Sequence, residues 1–317
     1  ECAEEMAREE SNPRRRSELE TIARVCRHVP AHAPRTFHEA IQAYWFVHLG
    51  TITELNGWDA MNPGHLDQHL GPFYERDLAS GTLDREGAKE LLECLWIKFN
   101  NQPAPPKVGV TAKESGTYND FTNVNLGGLT RDGADATNAV SEILLEVVDA
   151  IHLLQPQCNI QVSTVTPDGF LKDACRVVRH GYGYPSLFNA DQVVAEQVHV
   201  GKTVEDAREG GTSGCIETGC FGKEAYLLTG YLNVPKILEI ALHDGVDPAS
   251  GERVGPRTGA ASEMRSFEDL YKAFARQLRH FVDVKVAANQ RIETMFARTL
   301  PAPFLSVVIK DCIAKGR

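Results

Sequence analysis

The sequence predicts a helix-rich α/β fold with parallel strands, and three observations carry that prediction. Helical periodicity dominates roughly the first hundred residues. Beyond residue 120, short runs of strand-forming residues alternate with helical segments. No internal repeat, low-complexity tract or linker interrupts the 317 residues, so the chain reads as one domain or part of one. Strands alternating with helices pack as parallel β/α units, whose strand ends carry sites.

The elements follow in order. Ser17 to Val29 is charged and apolar at helical spacing. Thr36 is placed to cap a helix running through Glu54, with Ala40, Tyr44, Val47 and Ile52 among its apolar positions. Asp84 opens another, striped by Leu91, Leu92, Leu95, Trp96 and Phe99, which Asn100 to Pro106 then stops. Phe121 to Leu126 reads as a strand ending in Gly127-Gly128, Ala134 to Leu154 as a helix, and Asn159 to Ser163 as a strand. Pro167 to Tyr182 is a helix, Ser186 to Phe188 a strand, and Asp191 to Val200 a helix again. Ser266 to Arg298 is one long helical stretch, and Pro303 begins one more.

Composition narrows the function classes. With 42% hydrophobic and 24% charged residues the chain is globular, neither disordered nor fibrous. Thirty-three Lys+Arg against 43 Asp+Glu give a net charge of −10, which argues against nucleic acid as a partner. The basic run Arg14-Arg15-Arg16 reads as a solvated helix face. No apolar stretch approaches the roughly 20 residues of a membrane span, and Glu1 to Glu5 has no signal-peptide pattern. Eight cysteines without a small-scaffold spacing fit a reducing, cytoplasmic setting. A start without Met and an end at Lys315-Gly316-Arg317 read as a piece of something longer.

The most informative stretch is Gly210-Gly211-Thr212-Ser213-Gly214-Cys215-Ile216-Glu217-Thr218-Gly219-Cys220. Its glycines let the backbone turn tightly and present the Cys215 sulfur at a loop tip. In an extended segment i and i+2 share a side, so Cys215 and Glu217 face one cavity with Ile216 anchored in the wall behind. A thiol beside a carboxylate supplies a sulfur reagent and a proton carrier. Several chemistries compete here. Zinc needs ligands that the spacing of Cys215 and Cys220 does not complete. A redox disulfide lacks the Cys-x-x-Cys spacing. A thiolate nucleophile would have its pKa raised by the neighbouring Glu217. The plainest alternative is a free buried cysteine in a glycine-rich turn.

Gly214-Cys215-Ile216-Glu217 resembles the Gly-Cys-x-Glu loop of the glycyl radical enzymes, the superfamily of pyruvate formate-lyase and the radical diol dehydratases. Supporting stretches stand in the expected order: Asn62 to His69, Asn125 to Gly128, Asp135 to Asn138, Leu154 to Pro156, Gly181 to Ser186, Thr203 to Arg208 and Thr229 to Tyr231. The likeness covers nearly the whole chain. It implies part of a ten-stranded α/β barrel of two half-barrels, with residues 1–317 forming a partial pyruvate formate-lyase-like domain around the Cys loop. By that resemblance Cys215 becomes a thiyl that abstracts hydrogen, and Glu217 carries the proton. The family's radical glycine motif, Arg-Val-x-Gly-Tyr/Phe, has no match here; Arg179 to Tyr182 is a superficial echo placed before the loop. The C-terminal radical domain is therefore expected outside this chain, which by itself should hold no radical. The resemblance also implies no directly bound cofactor, a separate radical S-adenosylmethionine activating enzyme with an iron–sulfur cluster, and a homodimer.

Within the superfamily, the loop from Glu217 to Lys223 resembles two branches, the trans-4-hydroxy-L-proline dehydratases and the arylacetate decarboxylases. The resemblance places Asp59, Ser115, Asp120, Phe121 and Tyr231 around a substrate. Asp59 suits the secondary ammonium of a cyclic amino acid, whereas an arylacetate would leave it unpaired at a cost. Ser115 would orient a carboxylate or hydroxyl, and Phe121 and Tyr231 would wall the ring. The blander roles are a turn cap for Asp59 and a loop residue for Asp120. Dehydration of hydroxyproline to pyrroline-5-carboxylate is the expected activity, with decarboxylation of an arylacetate, another radical dehydration, or a catalytically inert piece as the alternatives. Cys26, Cys94 and Cys175 read as small core residues, and Cys220 as a neighbour of the site. His65 and His69 stand four apart, but nothing indicates a further metal ligand.

Overall fold

A computed structural model of the chain describes residues 1–54, 62–101, 122–213, 216–223 and 231–299. Asp59, Ser115, Asp120, Phe121 and Cys215 lie outside the described residues, as does the helix expected from Pro303. By its contacts the chain divides into two units, Glu1–Tyr226 (with 302–317) and Leu227–Pro301.

The first unit begins with α1 (Cys2–Glu9) and α2 (Pro13–His28) packed on each other. Arg27 grips Glu4 through two nitrogens, at 2.5 and 2.6 Å. Helix α2 starts before the predicted Ser17, because Pro13 fits the first helical position and the Asn12 side chain accepts from the Arg14 and Arg15 N–H groups. The basic run is thus an exposed first turn. Helix α3 (Phe37–Glu54) starts as predicted, with Thr36 Oγ1 accepting from the Glu39 N–H at 3.2 Å. After β1 (Gly64–His65) and α4 (Leu66–Ala79), Asp84 Oδ1 accepts the Gly87 N–H at 2.7 Å and opens α5 (Arg85–Asn101).

The remainder is β2 (Asn123–Gly127), α6 (Ala139–Ile151), β3 (Gln157–Val162), α7 (Asp168–Val178), β4 (Ser186–Asn189), α8 (Ala190–His199), α9 (Val204–Arg208), β5 (Gly210–Ser213) and β6 (Glu217–Cys220). Helix α6 starts five residues later than expected because Asp135 folds back on Thr137, and Asn138 and Ser141 form a reciprocal cap. It ends early because His152 takes a left-handed conformation at φ 50°. Helix α7 stops at Val178, ahead of Gly181 at φ +81°. The motif Thr203 to Arg208 is α9 with its cap, Thr203 Oγ1 accepting from the Asp206 N–H at 3.1 Å.

Strands β1-β2-β3-β4 form one parallel sheet in that order. Asn125 stands beside His65 on one side and Asn159 on the other, and Gly127 stands beside Gln161. Alternation splits each strand between two environments. Val124, Leu126, Cys158 and Ile160 point into an apolar core with Leu92, Phe99, Val140, Leu144 and Val177, among others. Asn123, Asn125, Asn159 and Gln161 occupy the opposite face, and all four are buried. Burial of such apolar side chains stabilises by roughly 1.5–3 kcal/mol each.

Cys26, Cys94 and Cys175 are exposed, which overturns the expectation that they are core residues. Each sits one step off its helix's buried stripe: Cys94 between Leu92 and Leu95, Cys175 beside Ala174, Cys26 beside Val25. Cys158 is fully buried, and burial raises its thiol pKa far above the usual range. No described helix is long and apolar enough to cross a membrane.

The second unit pairs α10 (Val234–Leu242) with α11 (Phe267–Thr299), burying Ile237, Ile240, Ala241 and Ala273. The long helix matches its predicted span to within a residue at either end. Between the two helices Asp244 accepts the Thr258 and Gly259 N–H groups, both at 2.8 Å, and Gln277 donates to the Pro256 carbonyl at 2.6 Å. Tyr231 belongs to this unit and is 65% exposed.

Candidate active site

The glycine-rich stretch folds as an antiparallel hairpin, β5 against β6, with Gly210 opposite Cys220, Thr212 opposite Thr218, and Ser213 opposite Glu217. Strand β5 ends at Ser213 and Glu217 opens β6. Two glycines of β5 serve close approach rather than turning. A Cβ on Gly210 would lie 2.4 Å from the Gly219 carbonyl oxygen, and one on Gly211 would lie 2.8 Å from Asn125 Oδ1.

Strand β5 lies on the polar face of the sheet, and amide side chains hold it there. Asn125 Nδ2 donates to the Thr212 carbonyl at 2.8 Å, while Asn125 Oδ1 accepts the Thr212 N–H at 3.1 Å. Gln161 Nε2 reaches Asn125 Oδ1 at 2.7 Å and Thr212 Oγ1 at 2.9 Å, and Asn159 Nδ2 reaches Thr212 Oγ1 at 3.0 Å. Thr212 Oγ1 in turn donates to Asn125 Oδ1 at 3.2 Å. Inside protein, where competing water is absent, each of these hydrogen bonds is strengthened and helps hold the strand in place.

His65 secures the start of the same strand, its Nε2 donating to the Gly210 carbonyl at 2.8 Å. A carbonyl can only accept, so Nε2 carries the proton, and burial lowers the ring's pKa and keeps it neutral. His65 sits at the end of β1, with Nε2 committed to this bond. Among the described residues no group of three His, Cys, Asp or Glu is placed to hold a metal ion.

Strand β6 is held from α8. Thr218 Oγ1 donates to Glu196 Oε2 at 2.8 Å and accepts from Gln197 Nε2 at 3.1 Å, and the Cys220 thiol points to Gln197 Oε1 at 3.8 Å. Cys220 is buried within the hairpin's support. Glu217 is exposed, its Oε2 accepting the Ile216 N–H at 3.1 Å. Ile216 is 73% exposed, which overturns its expected anchorage in a wall. It occupies the hairpin connection, where strand alternation does not apply.

Behind the sheet, Asp67 ties three elements together. Its carboxyl accepts the Gly127 N–H at 2.7 Å, the Ser141 hydroxyl at 2.5 Å and the Gln68 N–H at 2.8 Å. Burial pushes its pKa up to about 6. The chain enters β1 and β2 side by side, the Asn123 N–H donating to Asn62 Oδ1 at 2.8 Å. Asn62 follows Asp59 by three residues and Asn123 follows Asp120 by three.

Of the residues singled out in the sequence, Glu217 is thus placed on the hairpin and Tyr231 in the second unit, while the other five lie outside the described residues. His65, Asp67, Asn125, Asn159, Gln161 and Thr212 were not singled out as site residues. The available signal was the pair of alternations Asn123-x-Asn125 and Asn159-x-Gln161, since parallel strands are normally apolar on both faces.

Comparison with known proteins covers the whole chain. The pyruvate formate lyase-like family model matches residues 1–317. The trans-4-hydroxy-L-proline dehydratase of Clostridioides difficile is 55% identical over 317 residues, 100% of this chain and 40% of that protein. The crystal structure of that organism's hydroxyproline dehydratase with trans-4-hydroxy-L-proline bound superposes with a TM-score of 0.94, covering 99% of this chain and 40% of the other. The glycerol-bound B12-independent glycerol dehydratase of Clostridium butyricum gives 0.91 at 34% identity, covering 99% and 39%. The chain therefore spans about 40% of the length of the relatives it matches.

Proposed function

Because the chain belongs to the pyruvate formate lyase-like family, we propose that the protein carrying it is a glycyl radical lyase that dehydrates trans-4-hydroxy-L-proline to pyrroline-5-carboxylate. The observation that carries the substrate assignment is the 55% identity to a hydroxyproline dehydratase along the full chain, against 34% for the glycerol enzyme.

The residues of the hairpin suit this chemistry. The groups that grip β5 are all uncharged: three amides, a hydroxyl and a neutral imidazole. A thiolate nucleophile is made by a neighbouring cation, and none of these groups is one. A sulfur that passes between thiol and thiyl stays uncharged and needs no such partner. A glycyl radical, installed outside these residues by a radical S-adenosylmethionine activating enzyme, supplies the oxidising equivalent. Cys215 then takes a hydrogen atom from the ring carbon beside the nitrogen. Glu217 gives a proton to the 4-hydroxyl, which leaves as water, and its carboxylate takes a proton back from the ring nitrogen; Cys215 then returns its hydrogen atom to the product radical. The net change is loss of one water, giving the cyclic imine.

Asp59 pairs with the substrate ammonium, Ser115 and Asp120 orient its polar groups, and Phe121 and Tyr231 wall the ring. We place the protein in the cytoplasm as a homodimer.

The test is product analysis of the complete gene product that carries this chain. It is activated anaerobically, its radical is quantified by electron paramagnetic resonance, and hydroxyproline and arylacetates are supplied together. Pyrroline-5-carboxylate is expected. A methylated arene would transfer the protein to the decarboxylases, and no product despite a full radical signal would overturn the substrate assignment.

A further inference from the structure

We propose that Thr212 is a positioning residue, gripped by the side-chain amides of Asn125, Asn159 and Gln161 so that the strand leading into Cys215 and the facing Glu217 hold their reacting geometry. This rests on the assignment of Cys215 and Glu217 as the reacting pair.

The geometry points there because the grip is complete and local. A hydroxyl offers one donor and two acceptor sites, and Thr212 Oγ1 uses all three: it accepts from Asn159 and Gln161 and donates to Asn125. The peptide N–H and carbonyl of Thr212 are both bonded to Asn125. Two neighbouring sheet strands, β2 and β3, thus converge on one residue, three positions before Cys215 and directly opposite Thr218, the neighbour of Glu217. All four residues are buried, so water does not replace a lost bond. Every member is uncharged, so the cluster acts on placement and leaves the charge at the reacting groups unchanged. Misplacement on the scale of an ångström costs a reaction about a hundredfold.

Three variants of the complete, radical-loaded gene product test this. Thr212→Val keeps the shape and removes the hydroxyl, Thr212→Ser keeps the hydroxyl, and Asn159→Ala removes one donor to it without touching the hairpin backbone. Thr212→Val is expected to lower kcat by roughly ten- to a hundredfold, with radical content, KM and the shape of the pH profile unchanged, while Thr212→Ser stays near wild type. A Thr212→Val protein with wild-type kcat, or equal losses in Thr212→Val and Thr212→Ser, overturns the proposal and leaves the function untouched. If Thr212→Val does not fold, Asn159→Ala decides, with lowered kcat at constant KM and radical supporting the role and wild-type kcat overturning it. If the radical-loaded wild type makes no product, the function falls separately. Hydrogen exchange at residues 210–213 then decides for the grip: faster exchange in Asn159→Ala or Thr212→Val than in Thr212→Ser supports it, and equal exchange overturns it.

Discussion

The side chain of Asn125 bonds both peptide groups of Thr212, donating to its carbonyl at 2.8 Å and accepting its N–H at 3.1 Å. One amide therefore does for the hairpin what a neighbouring strand would do, and it also receives Gln161 Nε2 at 2.7 Å. Asn125→Ala leaves buried donors on Thr212 and Gln161 without acceptors. Each such group costs about 1–3 kcal/mol, so urea unfolding should show a loss of about 2–4 kcal/mol. A loss below about 1 kcal/mol would mean that water or a shifted backbone replaces the amide.

Gly210 faces backbone on two sides. A Cβ there meets the Gly219 carbonyl oxygen at 2.4 Å and the Ala207 carbonyl oxygen at 3.0 Å, and neither atom belongs to a side chain that can swing away. Gly210→Ala should separate β5 from β6, lower stability by about 1–3 kcal/mol or more, and raise hydrogen exchange across 217–220. The contrast is Gly181→Ala, with no atom within 4 Å of the added carbon, where the cost comes from φ +81° alone. That variant should leave exchange in the hairpin unchanged.

Two buried carboxyls shape the acid side of the stability curve in opposite senses. The Asp67 pKa is raised by burial to about 6, so the folded chain holds that proton more tightly than the unfolded chain does. Its penalty is present above pH 6 and is relieved as pH falls toward 4, by up to about 3 kcal/mol. Urea midpoints of wild type and Asp67→Asn, compared near pH 7 and near pH 5, should show wild type gaining on the variant at the lower pH. A wild type that loses ground would mean that Ser141 and Gly127 keep the carboxylate ionised.

Glu39 runs the other way. Arg35 clamps it through Nη2 at 2.7 Å and Nε at 3.2 Å, and donates its own backbone N–H at 2.8 Å, which together hold the carboxyl down to about 2. The stabilisation is present above the unfolded pKa and is lost as pH falls from about 4.5 to about 2. Arg35 is largely exposed, so screening reduces the pair to about 1 kcal/mol. Glu39→Gln should unfold more readily than wild type at neutral pH and match it near pH 2. The two carboxyls together place a local stability maximum between pH 4 and 5.

Most helices were legible because local chemistry marks their ends: Thr36, Asp84 and Asn189 bond the first turns they precede. Helix α4 was not assigned from the sequence; Pro72 lies inside it, and the spacing of Leu66, Leu70 and Tyr74, all buried, carries the helix through. The hairpin was half legible. Glycine density marked the segment, yet its pairing of Ser213 with Glu217 is a tertiary fact, and so is the exposure of Ile216 in the connection. The amide cluster was hidden because its members lie on three strands and meet only once β2 and β3 are aligned in register and β5 is laid against them. In the linear order Asn125, Asn159 and Thr212 are unrelated polar residues.

The sharpest separation between sulfur and carboxyl roles comes from paired substitutions in the activated gene product. Cys215→Ser replaces the hydrogen abstractor by a hydroxyl that cannot store the radical, so turnover should vanish while the glycyl radical signal remains. Glu217→Gln keeps length and keeps an oxygen to accept the Ile216 N–H, now 3.1 Å from Oε2, but cannot deliver a proton. It should lower kcat by about 10²–10⁴ with radical content and KM near wild type. Exchange of solvent deuterium into product distinguishes the two further. A Cys215→Ser protein leaves the substrate unlabelled, because no ring hydrogen is ever removed. If the thiol exchanges with solvent between abstraction and return, Glu217→Gln labels recovered substrate without releasing water. Retained turnover in Cys215→Ser would remove the thiyl from the mechanism. Full activity in Glu217→Gln would move the proton transfer to another acid, with the carboxylates at Asp59 and Asp120 the next to substitute.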